Sequence, residues 1–202
     1  MSPRRRRTFK RPPPKRKYKN LFLIATEGIK TERQYFALFD GQNSVVHVKC
    51  LTQNHGNSPT QVLRQMKTHL DGCPLRNDDQ AWLVVDKDHW TDDQLAQLFE
   101  WSEKEDNFGF ALSNPKFEYW LLLHFEDGSG ATTPQRCTAQ LKRHLPNYDK
   151  SIDRRKFTPA AIQNAIARAK QVDSPPCCDW PRTPPGTTVY RLVELITTPR
   201  EE

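Results

Sequence analysis

The chain has 202 residues, enough for one domain with a sizeable core. No apolar run approaches the ~20 residues of a membrane span, and no signal-type segment precedes Leu21, so a cytoplasmic protein without a membrane anchor is expected. The formal net charge of +7 is uneven: ten basic side chains and no acid fall in residues 1–19, leaving 21 basic and 24 acidic residues, a net of −3, in the rest. Pro12-Pro13-Pro14 keeps this tail extended, and it is expected to be disordered. It suits either a phosphate-binding arm or a solubilising extension, and offers no base specificity. The five cysteines contain no C-x-x-C pair and favour free thiols over a disulfide framework. The histidines lack paired ligand spacing, which argues against zinc.

After the tail, residues 21–26 predict a strand. Thr31-Glu32-Arg33-Gln34 has the pattern of a capping box, followed by Tyr35, Phe36, Leu38 and Phe39 at near-helical spacing, with Gly41 as the stop. A second strand is expected at 45–51. Ser58-Pro59-Thr60-Gln61 opens a helix with Val62, Leu63, Met66 and Leu70 inward, ended by Gly72 and Pro74. The most apolar strand covers 81–85. Thr91-Asp92-Asp93-Gln94 opens a helix running to about Asp106, and a fourth strand covers 108–112. This alternation predicts an α/β fold with a mainly parallel sheet and right-handed crossovers. The segment 117–125 is too apolar for a surface helix and is expected in the core. The remainder predicts helices near 134–144 and 159–172, a proline-rich connection, and a last helix carrying Val189, Leu192, Val193 and Ile196 behind Thr187 or Thr188. The expected organisation is a tail at 1–19 and one domain at 20–198, with an α/β core to about 125 and a helical part from about 132.

Two carboxylate motifs fall where strands end. Leu21–Ala25 leads into Glu27-Gly28, and Trp82–Val85 leads into Asp86-Lys87-Asp88. Strand C-termini of an open α/β sheet share one edge, where ligands bind. Alternate residues of a strand point the same way, so Asp86 and Asp88 can share a ligand if the extended conformation persists. Carboxylates that converge repel one another unless a cation neutralises them, and an all-oxygen donor set suits Mg²⁺ or Mn²⁺. Glu118, at the start of the apolar helix, is favoured there by the helix dipole and is also open to a metal. Lys30 and Lys116 lie near this edge and suit a scissile phosphate. Lys87 either faces away or reaches a phosphate through a loop. Trp90 is a candidate substrate contact, whereas Trp82 and Trp120 belong in the core. His89 suits either a proton donor or a structural turn. Arg64-x-x-x-x-His69 fits a short ribonuclease motif of all-helical folds, but its helix lies inside the α/β unit.

The succession TEGIKTERQYF, VVDKDHW and SNPKFEYWLLLHF, with the late TTVYRLVELI, resembles the RloB-like (AbiLii-like) family, which is grouped with Toprim-type nucleases. The resemblance runs from about Leu21 to Ile196, and SNPKFEYWLLLHF is its most specific part. It implies a Toprim-like fold and a Mg²⁺-dependent nuclease acting in bacterial phage defence. A toxin-like outcome follows, with RNA (tRNA included) or DNA as substrate. Members are often encoded beside an ABC or SMC-like ATPase. This chain has no G-x-x-x-x-G-K-[ST] segment, so the ATPase is expected as a separate partner. Residue by residue, Glu27 matches the Toprim glutamate, Asp86 and Asp88 match the Asp-x-Asp pair, and Glu118 matches the acid of the Asn-Pro-x-Phe-Glu stretch. The first three are the expected metal ligands. Glu118 is a ligand, a cap, or a buried acid paired with a base. A second reading makes the chain a non-catalytic nucleic-acid-binding or ATPase-binding subunit whose acids support the fold.

Overall fold

Strand-forming runs separated by helices build the chain in the order β1 (Asn20–Thr26), α1 (Thr31–Phe36), β2 (Val46–Leu51), α2 (Pro59–Gly72), β3 (Gln80–Asp86), α3 (Asp92–Ser102), β4 (Phe108–Asn114), α4 (Phe117–Leu122), α5 (Pro134–His144), α6 (Pro159–Val172), β5 (Gly186–Thr187) and α7 (Val189–Thr197). These elements come from a computed structural model, which describes residues 20–41, 46–51, 58–88 and 90–198. The basic tail and His89 lie outside the described residues.

The strands form one sheet in the order β2-β1-β3-β4-β5, with β1 to β4 mutually parallel and β5 antiparallel to β4. Alternation along each strand sorts the core into two layers. Phe22, Ile24, Trp82 and Val84 face α1, α4, α5, α6 and α7, whereas Leu23, Ala25, Leu83 and Val85 face α2 and α3. The strand order reverses between β1 and β3: α1 leads from β1 to one side, and α2 returns across the opposite face to the other. That arrangement opens a crevice at the carboxyl ends of β1 and β3, the place where such sheets bind ligands. All six residues of α4 are buried, in keeping with its apolar sequence.

The capping signals of α2, α3, α5 and α6 operate as their sequences require. Ser58, Thr91, Thr133 and Thr158 each accept a backbone N–H of the first turn, and α3 has the full reciprocal capping box with Gln94. Helix α1 departs from expectation. Thr31 is its first helical residue rather than its cap, and the helix stops at Phe36, well before Gly41. The side chains of Thr31 and Gln34 instead bind the segment 148–152. Helix α3 ends at Ser102, not near Asp106. The two-residue β5 was not expected. It carries too few residues for a periodic signal, and it pairs Thr187 with Ser113 at the end of β4. Thr188 precedes α7, but its hydroxyl accepts the N–H of Leu112 and does not cap the helix.

Candidate functional site

Glu27 leaves β1 one residue beyond the last rung with β3, its N–H donating to the Val84 carbonyl at 3.1 Å. It therefore stands beside Asp86, the last residue of β3. The Asp86 N–H donates to Glu27 Oε2 at 3.3 Å, and the Trp90 indole N–H donates to Glu27 Oε1 at 3.1 Å. Asp86 continues the Trp82–Val84 side of its strand, the face covered by α1 and α4. Its Oδ1 accepts the N–H of Phe117, the first residue of α4, at 2.8 Å.

The same face brings two further carboxylates to this point. Glu32, on α1, is only 8% exposed. Its carboxylate lies over Gly28, where a Cβ would come within 2.0 Å of Glu32 Oε2, so a side chain at residue 28 would displace that carboxylate. Glu118, at the start of α4, is 2% exposed. Its Oε1 accepts from Lys150 Nζ at 2.7 Å and from the Tyr148 hydroxyl at 2.8 Å, while Lys116 Nζ lies 3.8 Å from Oε2.

The electrostatics divide these acids into two kinds. Burial, together with the carboxylates of Glu118 and Glu27, pushes Glu32 up to about 7. Burial and the charges of Glu32, Glu118 and Glu27 hold Asp86 well above the usual carboxylate range. Burial also opposes ionisation of Glu118, but Lys150, Lys116 and the Tyr148 hydroxyl outweigh it and hold that carboxyl below its ordinary value. Glu118 is thus an ionised buried acid paired with bases, one of the roles open to it in the sequence. Glu32 and Asp86 are acids that a nearby cation would deprotonate.

The other expected site residues lie as follows. Asp88 does not continue the strand beside Asp86. The strand ends at Asp86, and Asp88 turns with φ of 33°, exposed, its N–H donating to the Pro115 carbonyl at 3.2 Å. The expected alternation therefore fails at this pair. The Lys87 ammonium is tied to the Trp90 carbonyl at 2.7 Å and to Asp92 at 2.6 Å, at the start of α3. Lys30 is exposed before α1 and lines an open groove of about 380 Å³ with Arg33 and Cys50. Lys116 donates to the Thr138 hydroxyl at 2.6 Å and lines a second groove of about 450 Å³ with Lys142. His89 lies outside the described residues. Sequence reasoning missed Glu32, Tyr148 and Lys150. Glu32 was legible only as part of a capping pattern, and the loop residues carry no periodic signal.

Among the described residues, no three His, Cys, Asp or Glu side chains are grouped so that they could hold one metal ion. The donor chemistry at the crevice still suits a hard cation. Its acids are oxygen donors only, and two of them carry raised pKa values that a bound cation would relieve.

The model of the RloB-like protein family matches residues 22–196, nearly the whole described chain, and the protein belongs to that family. No curated protein and no solved structure matches it.

Proposed function

We propose that this RloB-like chain is a metal-dependent nuclease, hydrolysing phosphodiester bonds of RNA (tRNA included) or DNA, and that it serves as a toxin-like effector in phage defence alongside a separate ABC or SMC-like ATPase. The observation that carries the reading is the field at Asp86. A strand-end carboxyl at the crevice of the sheet is surrounded by Glu27, Glu32 and Glu118, and is held well above its ordinary pKa by burial and by those neighbours. Gathering acids in this way costs stability unless a cation uses them.

On this reading Glu27 and Asp86 would hold Mg²⁺ or Mn²⁺, and Asp88 would join them from its turn rather than from the strand. When bound, such an ion supplies Lewis-acid stabilisation of the phosphate and a more acidic water. Trp90 and the Asp86 N–H orient the two oxygens of Glu27, and the Phe117 N–H orients Asp86. Glu32, whose carboxylate lies over Gly28, adds a fourth acid that a bound cation would deprotonate. Lys30 and Arg33 on the β2 side, and Lys116 and Lys142 beyond β4, offer positive charge for the substrate backbone on either side of the acids.

One observation favours a non-catalytic nucleic-acid-binding or ATPase-binding subunit: among the described residues, no three ligating side chains stand ready as a group. Incubation of the protein with labelled RNA and DNA in Mg²⁺, Mn²⁺ or EDTA, with and without the neighbouring ATPase, separates the readings. Cleavage that requires the cation and is lost in Asp86→Asn supports the nuclease. Cleavage that persists in EDTA, or no cleavage under any of these conditions, refutes it.

A further inference from the structure

The Glu118 carboxylate is the base of an arrangement that the acids alone do not explain. It is buried, yet it serves two lysines on opposite oxygens, Lys150 on Oε1 and Lys116 near Oε2. The Glu118 side chain is 3% exposed, whereas those of Lys150 and Lys116 are 59% and 18% exposed. One buried carboxylate thus sets two ammonium groups, and Glu32 and Asp86 also act on that of Lys150.

The loop that carries Lys150 has fastenings besides the ammonium. Thr31 Oγ1 donates to the Lys150 carbonyl at 3.1 Å, and Gln34 Oε1 accepts from the Ile152 N–H at 3.1 Å. The Tyr148 hydroxyl already supplies Glu118 with a donor. Lys150 nonetheless takes a backbone φ of 59°. Among the described residues, the non-glycine residues with positive φ are Lys150 and Asp88, whose N–H reaches the carbonyl of Pro115, the neighbour of Lys116. Sparsely populated backbone conformations held in place by their surroundings gather at functional sites.

We propose that Lys150 and Lys116 form a phosphate-binding fork at the edge of the carboxylate crevice, with Glu118 as the positioning residue that sets their ammonium groups. An ammonium has three N–H donors, so a lysine bound to Glu118 keeps donors for a phosphodiester oxygen. The groove lined by Lys116, Thr138 and Lys142 carries the strand onward from the fork. This inference rests on the nucleic-acid reading above and names the residues that would seat the substrate.

The test is a salt titration of binding by the full chain in EDTA, read by fluorescence anisotropy of a labelled single-stranded 20-mer, as RNA and as DNA. Lys150→Met keeps the apolar stem and removes the charge. It is expected to flatten the slope of log K against log salt by ~0.7, the value for one phosphate contact on a single strand, and to weaken binding several-fold at fixed salt. Lys150→Arg is expected to restore the slope. Lys116→Met, which leaves the Lys150 loop intact, carries the same expectation and decides the matter if Lys150→Met does not fold. Unchanged slopes in the folded variants, or no binding by the wild type, overturn the fork. EDTA separates this outcome from that of the nuclease reading. A protein that binds through these lysines and never cuts keeps the fork and loses the nuclease, while one that cuts with unaltered slopes does the reverse.

Discussion

Replacing Glu32 with Gln should remove a pH-dependent burden on the fold. The Glu32 carboxyl is buried at 8% exposure and is raised from 4.5 to about 7 by that burial and by its acidic neighbours. An acid whose pKa is higher in the folded state takes up a proton on folding. Its contribution to stability is complete below 4.5 and is lost as pH rises to about 7. The displacement from 4.5 to about 7 corresponds to ~3 kcal/mol, most of it lost between pH 5 and pH 7. Glutamine keeps the shape and cannot ionise. Urea unfolding of both proteins in EDTA at pH 5, 6, 7 and 8 is the assay. The variant should gain on the wild type by ~2–3 kcal/mol across the series. Stability curves that stay parallel from pH 5 to pH 8 would refute the placement of Glu32 in the acidic field.

Further outcomes follow from the same geometry. Glu27→Ala and Asp86→Ala should lose cation-dependent cleavage of RNA or DNA while the melting temperature holds or rises, because each removes one of several mutually repelling carboxylates; retained activity in Mg²⁺ would remove these residues from the site. Gly109→Ala places a methyl 2.4 Å from the buried Trp82 ring on the paired strand, so denaturant titration should show a loss of ~1–3 kcal/mol. His124 is buried, bonded to the Tyr35 hydroxyl and the Trp120 carbonyl, and burial pushes it down to about 4. Its stabilising share is present above 6.5 and is lost as pH falls towards 4, so urea titrations should show the wild type losing ~2 kcal/mol more than His124→Gln between pH 7 and pH 5.

Much of the scaffold is written locally. Continuous apolar runs place β1 and β3, and a hydroxyl residue three positions before a free backbone N–H starts α2, α3, α5 and α6. Such signals act over three or four residues, so they survive without knowledge of the rest of the chain. Glu27 and Asp86 fall at or just past the ends of apolar runs, and parallel strands put those ends on one edge of the sheet; that β1 and β3 are neighbours is decided by the tertiary fold, which lays β2 on the far side of β1. Asp88 shows where that reasoning stops: alternation holds only while the strand continues, and the strand ends at Asp86. Thr31 and Gln34 have the spacing of a capping box, but long-range partners on the 148–152 loop compete for the same side chains and win. Glu32 and Lys150 have no local mark of their role. Their meeting with Asp86 and Glu118 depends on α1 and α4 packing on one face of the sheet, and on a loop more than a hundred residues downstream of α1 closing over them. A carboxylate's pKa depends on which charges surround it in space, and only the tertiary structure decides which these are.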